Sequence, residues 1–212
     1  MIAKFFSTAL TGVAFAGALF AAPAFAQEAP DALVKRISDD VINTVKADKD
    51  IQAGNKKRIN DLVEQKILPH VDAQRMTSLA AGRFWRDATP AQQTALTNEF
   101  RNLLVHTYSG ALSAIRDQQV EFKPLRAAPT DTEVEVRSQV LQPRGEAIQL
   151  NYRMAKSGTS WKIYDINVLG AWLVENYKGT FASEIGKGGI DGLIKTLADK
   201  NRKLATMPVK KS

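Results

Sequence analysis

Few residues in this chain could do covalent or proton-transfer chemistry, and their spacing suits it poorly. There is no cysteine, which removes disulfides, thiolate nucleophiles, thiolate metal sites and iron–sulfur clusters together. The two histidines, His70 and His106, belong to no ligand pair. His70 follows the helix-stopping Pro69 and His106 sits beside the apolar stripe of a long helix, so both read as surface or capping groups. No metal and no other cofactor is expected. Glu133 and Glu135 project from the same side of an alternating segment and could make a carboxylate pair. With Arg137 beside them they read more simply as a solvated, charge-balanced face. Asp165 is the odd residue, set between Tyr164 and Ile166 in the most apolar segment of the chain. There an isolated charge is costly unless it is hydrogen-bonded or paired. As chemistry it would be a general base of raised pKa in an apolar cavity. As structure it would accept backbone N–H groups or an arginine and pin its strand to a neighbour, which is the simpler reading for a lone carboxylate. The sequences G-x-S-x-G, H-E-x-x-H, G-x-x-x-x-G-K and G-x-G-x-x-G are all absent, so no residue is assigned as catalytic.

The chain has 212 residues, 44% hydrophobic and 24% charged, with 29 Lys plus Arg against 22 Asp plus Glu. That composition belongs to a folded chain of one moderate domain. Its first 26 residues read as a secretory leader: Lys4 near the start, the apolar run Ala9–Ala22, then Pro23 and the small-x-small exit Ala24-Phe25-Ala26. The run is shorter than the roughly 20 apolar residues of a spanning helix. Cleavage after Ala26 is expected, which would make the mature chain an exported one and leave its core to stabilise it without disulfides. Export argues against ATP-dependent chemistry and against nucleic acid as partner of the +7 net charge.

The elements follow from periodicity. Leu33, Val34, Ile37, Val41, Ile42 and Val45 make an amphipathic helical stripe from Pro30, closed by the polar Lys46–Asp50 stretch. Asn55 offers a cap for a second helix through Ile59, Leu62, Val63 and Ile67, stopped by Pro69. A short helix over Asp72–Ala81 ends at Gly82. Thr89-Pro90-Ala91-Gln92 is a capping box with proline in the first turn. It opens a long helix carrying Leu96, Phe100, Leu103, Leu104, Tyr108, Leu112 and Ile115, expected to lie across the sheet as the spine of the domain.

From Val120 the period changes from 3.6 to 2. Val134, Val136 and Val140 alternate with Glu133, Glu135 and Arg137, and Ile148, Leu150, Tyr152 and Met154 alternate with Gln149, Asn151 and Arg153. Trp161 and Ile163 lead into a last strand whose apolar residues, Ile163, Tyr164, Ile166, Val168 and Leu169, fall on both sides and should make it the best buried. Short turns between such segments read as antiparallel hairpins. From Gly170 the pattern is helical again, broken at Gly186–Gly189, with a final helix through Ile190, Leu193, Ile194 and Leu197. Lys200–Ser212 reads as a frayed basic tail. Helices, then strands, then helices give an α+β fold with a segregated antiparallel sheet.

The remaining weight of the sequence is apolar and aromatic. Helices packed over a curved sheet leave room between the layers, and nothing polar in this chain is placed to fill it. An apolar cavity without a catalytic group is a container for an apolar ligand. Its expected lining is Phe100, Leu104 and Tyr108 of the long helix, Val134, Val136, Leu150, Tyr152, Ile163, Ile166 and Val168 of the strands, and Leu173 and Tyr177 of the covering helix.

Several stretches also resemble one known family. Leu68-Pro69-His70-Val71, Phe84-Trp85 followed by Ala88-Thr89-Pro90-Ala91-Gln92, Trp161-Lys162-Ile163-Tyr164-Asp165-Ile166 and Gly188-Gly189-Ile190-Asp191-Gly192-Leu193 are similar to the MlaC family. Its members are periplasmic phospholipid-binding proteins, also described as toluene-tolerance or ABC-transporter auxiliary proteins. The similarity runs in order from about Asp31 to Lys203. One departure is Gly170-Ala171-Trp172, where the family usually reads Gly-Val-Ser; a tryptophan there would reshape the cavity mouth. The resemblance implies helices around a four-stranded antiparallel sheet that holds acyl chains and leaves the headgroup outside. It implies a non-enzymatic monomer, active in the periplasm, that carries phospholipid between an outer-membrane lipoprotein complex and an inner-membrane ABC transporter with its membrane-anchored substrate-binding subunit. That traffic maintains the lipid asymmetry of the outer membrane. The expected organisation is a leader over residues 1–26, one lipid-binding domain over 27–203 and a flexible basic tail over 204–212. The rival reading is a cone-shaped α+β enzyme using Asp165 on an apolar substrate, and a solid-cored interaction adaptor is the third.

Overall fold

The computed structural model describes residues 27–143 and 145–208. The expected leader, residues 1–26, and the end of the expected tail, residues 209–212, lie outside the described residues. Helix α1 (Pro30–Ala47) presents Leu33, Val34, Ile37, Val41 and Val45 along one buried stripe. A single turn, α2 (Lys49–Gln52), is capped by the Asp48 carboxylate, which accepts the N–H groups of Asp50 and Ile51. Asn55 then caps α3 (Lys56–Leu62) through the Arg58 N–H. Past Leu62 the helix widens into a π-helical turn (Val63–Ile67) and tightens into a 3₁₀ turn at Leu68–His70. Pro69 contributes no N–H there, so regular helix ends.

Helix α4 (Ala73–Ala81) is capped by Asp72 and stopped at Gly82, whose φ is 58°. The expected capping box opens α5 (Pro90–Tyr108): the Thr89 hydroxyl accepts the Gln92 N–H while Gln92 Oε1 accepts the Thr89 N–H. After Tyr108 the winding changes to 3₁₀ over Ser109–Ala114. Five strands follow, β1 (Gln119–Phe122), β2 (Glu133–Leu141), β3 (Ile148–Ser157), β4 (Ser160–Val168) and β5 (Ala171–Trp172), in sheet order β1-β2-β3-β4-β5, all antiparallel.

The fifth strand is the difference from the expected four. Ala171 and Trp172 fold back against Val168 and Asn167 before the helix begins, so α6 starts at Leu173 instead of Gly170. The free edge of β4 is covered further along by Val71, which bridges Ile163 in parallel, and by the Asp72 N–H donating to the Ile163 carbonyl at 2.8 Å. Covering an edge in this way blocks pairing with another chain.

A β-bulge explains why β4 does not alternate. Arg153 pairs with Asp165 but Met154 pairs with Ile163, which leaves Tyr164 as the extra residue. Ile163 and Ile166 are thereby brought to one face, opposite Met154 and Tyr152. Asp165 and Asn167 take the other face, both buried. Apolar groups on both sides in sequence become one apolar face in space.

Two cores result. In the first, α1–α3 close over the sheet face carrying Val136, Tyr152, Met154, Trp161 and Ile163. The second is helical: Met76 and Ala80 of α4, Leu96, Phe100 and Leu103 of α5, and Val174, Phe181, Ile185, Leu193 and Leu197 of α6. It is therefore α1, not α5, that lies on the sheet, while α5 packs with α4 and α6. Helix α6 (Leu173–Thr206) bends at Gly189, where φ is 68° and ψ −170°. The bend lets Ile185 before it and Leu193 after it reach the same core. The helix also continues past Lys200, where a frayed tail was expected, because Leu204 packs on this core and the Asn201 amide donates to the Glu99 carbonyl at 2.9 Å.

Gly189→Ala tests the bend. A Cβ at that position meets nothing within 4 Å, so its cost is backbone strain alone, about 1–3 kcal/mol for a conformation that is essentially glycine's own. Urea unfolding should show a loss of that size at unchanged m-value.

Candidate functional site

The two cores meet at Ile166, which packs against both. Several of the apolar side chains that pack on these cores are left half covered. On the sheet side these residues are Val134, Leu150, Phe122 and Leu125, with Leu112 and Ile115 from the 3₁₀ turn after α5. On the helical side they are Leu104 of α5 and Tyr177 of α6. The contrast with the cores is sharp, since Phe100 and Val136 are each only 1% exposed.

The expected lining residues thus divide. Phe100, Val136, Tyr152, Ile163 and Leu173 are buried, their surface already covered by protein atoms. Leu104, Val134, Leu150, Ile166, Val168 and Tyr177 are half-buried, and Tyr108 is exposed at the end of α5. The half-buried group is the one with apolar surface left to offer a ligand. Leu112, Ile115, Phe122 and Leu125 join it although the sequence reading did not place them there. The first two follow a change of helical winding that rotates them off the α5 stripe, and Leu125 lies in an irregular segment with no period to read. Two surface concavities lie elsewhere: a depression of about 780 Å³ beside Asn43, Asp48 and Arg58, and a cleft of about 530 Å³ between Lys56, Arg116 and Thr206.

Few polar atoms intrude on the apolar face. The Tyr152 hydroxyl shares hydrogen bonds with Ser38 and Ser138, and its burial pushes the phenol up to about 12. Ser138 Oγ in turn donates to the Leu150 carbonyl at 2.6 Å. Three aromatic rings brace the helical wall, Phe100 standing edge-on to both Tyr177 and Phe181 at 4.9 Å, a favoured arrangement of ring quadrupoles. The Tyr177 hydroxyl reaches Thr107 and Tyr108 at the rim, and burial pushes its phenol up to about 12 as well.

Asp165 is on the opposite face of the sheet, 2% exposed. Its Oδ1 accepts the Ile166 N–H at 2.9 Å and the Val174 N–H at 3.0 Å, and its Oδ2 lies 3.4 Å from an Arg153 nitrogen. The Arg153 guanidinium stacks 3.9 Å above the Trp172 ring. Val174 is in the first turn of α6, where Trp172 supplies no side-chain cap. Asp165 is therefore a cap donated from the sheet, with the favourable sign for a helix N-terminus. Both oxygens are occupied, and neither faces the apolar site. Burial raises its pKa against the pull of these partners.

The other candidates for chemistry are dispersed. Glu133 accepts from Arg75 at 2.6 Å and from the Tyr164 hydroxyl at 3.0 Å, and the Arg75 hydrogen bond holds its carboxyl below the usual range. Arg75 also stacks 3.8 Å over the Tyr164 ring. Glu135 lies opposite Arg153 in the ladder, so the two glutamates have separate partners. His70 and His106 are apart, each with its pKa lowered by burial. Among the described residues no three His, Cys, Asp or Glu side chains gather where they could hold a metal, and no helix is long and apolar enough to cross a membrane.

A family model described as MlaC protein matches residues 35–199. The intermembrane phospholipid transport system binding protein MlaC of Haemophilus influenzae is 22% identical over 189 residues, covering 88% of this chain and 86% of its own. The toluene tolerance protein ttg2D of Pseudomonas putida is 24% identical over 167 residues, covering 78% and 77%. A solved structure of a phospholipid-binding protein from Ralstonia solanacearum, in complex with a phospholipid, superposes with a TM-score of 0.79 at 48% identity, over 85% of this chain and 99% of that one.

Two substitutions at Asp165 separate its hydrogen bonds from its charge. Asp165→Asn keeps an oxygen for the Val174 N–H, whereas Asp165→Ala orphans it and should cost about 1–3 kcal/mol more in urea unfolding. Because the folded-state pKa is raised, the native protein binds more protons than the unfolded chain as this group titrates. Its contribution therefore declines as pH rises through the interval between the unfolded and the raised folded pKa. Glu133, Glu28 and Asp48 are shifted downward and act with the opposite sign. The stability of wild type relative to Asp165→Asn should fall as pH is raised from about 3 to 7, beginning near the ordinary aspartate value of about 4. A flat difference would show that the charge state does not matter.

Proposed function

Because this chain belongs to the MlaC family, we propose that it is a non-enzymatic, monomeric phospholipid carrier. Its acyl chains would lie along the half-covered apolar residues around Ile166. The observation that carries this reading is the phospholipid held by the solved Ralstonia solanacearum relative. The half-buried Leu104, Val134, Leu150, Val168 and Tyr177 support it independently, as apolar surface for which the fold itself provides no cover. The buried Phe100, Val136, Tyr152, Ile163 and Leu173 form the wall behind them, and Tyr108 stands at the rim.

The physics of such a carrier is demanding in one respect only. Two acyl chains bring roughly 30 methylene-sized groups, and withdrawing them from water gains on the order of 20 kcal/mol at about 0.8 kcal/mol each. A bilayer offers nearly the same gain. Exchange between membrane and protein is then close to neutral, which allows loading and unloading without a large barrier in either direction. Net direction must come from outside the carrier. The name of the Haemophilus influenzae relative, an intermembrane transport system binding protein, supports a shuttle between two membranes. With the leader over residues 1–26, the chain would act in the periplasm, between an outer-membrane lipoprotein complex and an inner-membrane ABC transporter with its membrane-anchored substrate-binding subunit. Maintenance of outer-membrane lipid asymmetry would follow, with residues 27–203 as the lipid-binding domain.

The enzyme alternative asks Asp165 to act as a base, and the engagement of both its oxygens on the far face of the sheet argues against it.

Organic extraction of the purified, exported protein followed by mass spectrometry should recover phospholipid near one molecule per chain. Leu150→Asp, a half-buried position, puts a charge where hydrocarbon would lie and should reduce recovered lipid at least about tenfold while the far-ultraviolet circular dichroism stays native. A folded Leu150→Asp protein carrying full lipid would refute this placement of the chains, and wild type recovered without lipid would refute the carrier.

A further inference from the structure

The turn between β4 and β5 spends stability on displaying one apolar side chain. Leu169 has φ of 54°, the one positive φ at a non-glycine position among the described residues. It is followed by Gly170 at 88°, and the flanking Val168 and Ala171 pair with each other. Two successive positive φ values in a two-residue connection make a type I′ hairpin turn, whose first position strongly favours asparagine or aspartate. Leucine is a poor choice there, since the left-handed region crowds its Cβ. The conformation is nevertheless fixed. The Leu169 N–H donates to the Gln149 carbonyl at 3.1 Å, and the Gly170 N–H donates at 3.0 Å to Oδ1 of Asn167, itself 4% exposed. The leucine so held is 71% exposed, more than any other exposed large apolar residue described.

Its surroundings say what it meets. Ladder register places the C-terminal end of β2, the N-terminal end of β3 and the C-terminal end of β4 together, and Leu141 is 37% exposed at the end of β2. Val140, Ile148 and Val168, at that same end, are half-buried on the face that carries Leu150 and Ile166. The display is thus continuous with the apolar site. Behind it, Trp172 is half-buried under the Arg153 guanidinium, whose side chain is 42% exposed. An exposed leucine in front of a tryptophan and an arginine is the order of groups that matches a bilayer surface, with hydrocarbon first and amphipathic ring and cation at headgroup level. Strained residues that their surroundings hold in place cluster at functional sites.

We propose that the Leu169–Gly170 turn is a lip that dips into the surface of a phospholipid bilayer, so that lipid passes between membrane and site over Leu169. This rests on the carrier reading and adds to it the place where the bilayer is met.

The decisive variant is Leu169→Asn, because fold and function move oppositely. Asparagine relieves the turn, so the melting temperature should rise by about 2–4 °C. Binding to vesicles of phosphatidylethanolamine and phosphatidylglycerol, followed by co-sedimentation, should fall at least about fivefold through loss of the leucine's transfer from water. Uptake of a fluorescent phospholipid from the same vesicles should slow in parallel. Leu169→Phe keeps an apolar group and should keep vesicle binding. Unchanged vesicle binding by Leu169→Asn overturns the proposal, as does equal loss in Leu169→Phe, or a wild-type protein that does not associate with the vesicles. Phospholipid extracted from wild type as purified reports on the carrier reading alone, so the two can fail separately.

Discussion

A buried carboxylate ties the sheet to the helical layer. Asp165 accepts the Val174 N–H in the first turn of α6 while belonging to the middle of β4, so the start of a 34-residue helix is fixed to a strand. Helix N-termini leave unpaired N–H groups that must find acceptors, and here the local sequence offers none. The neighbouring Ile166 points the other way and is the residue on which both hydrophobic cores close. This pair of adjacent residues thus links the sheet to the start of α6 on one side and to both cores on the other.

The apolar surface of the site is exposed because of how the layers are divided. Helix α1 takes the sheet face, and α5 and α6 pack on each other around Phe100, Tyr177 and Phe181. Neither group of helices covers Val134, Leu150 and Leu104 completely. The cores themselves are closed, to about 1% exposure at Phe100, Val136 and Leu96, so the half-covered residues stand out against them. The hydroxyls of Tyr152 and Tyr177 are paired with other neutral hydroxyls, Ser38 and Ser138 for the first and Thr107 and Tyr108 for the second.

The charged groups are kept at the other side of the sheet. Arg153 stacks on Trp172 and approaches Asp165, and Arg75 stacks on Tyr164 and holds Glu133. Both arginines use the flat face of an aromatic ring and a carboxylate together, which orders them without burying an unpaired charge. The bulge at Tyr164 makes this segregation possible, since it returns Ile163 and Ile166 to one face and leaves Asp165 and Asn167 on the other.

Much of this was legible along the chain. Capping by Asn55 and Thr89, the stripe of α1, the alternation of β2 and β3 and the break at Gly189 depend on neighbours within a few residues, and the α+β order of elements follows from them. The resemblance carried by the strand around Tyr164-Asp165 and by the start of α5 agrees with the family match. What the sequence could not settle were relations between distant segments: that α1 and not α5 lies on the sheet, that Ala171 and Trp172 add a strand, and that Lys200–Thr206 is held helical by Asn201 and Leu204. The same limit divided the candidate site. Phe100 and Leu104 are four apart on one helix and equally apolar, yet one is sealed in a core and the other half open. Apolar character is a property of the residue and periodicity of the local chain, so sequence alone determined both. How much of each side chain remains uncovered is decided by which other element arrives against it, and only the tertiary structure contains that.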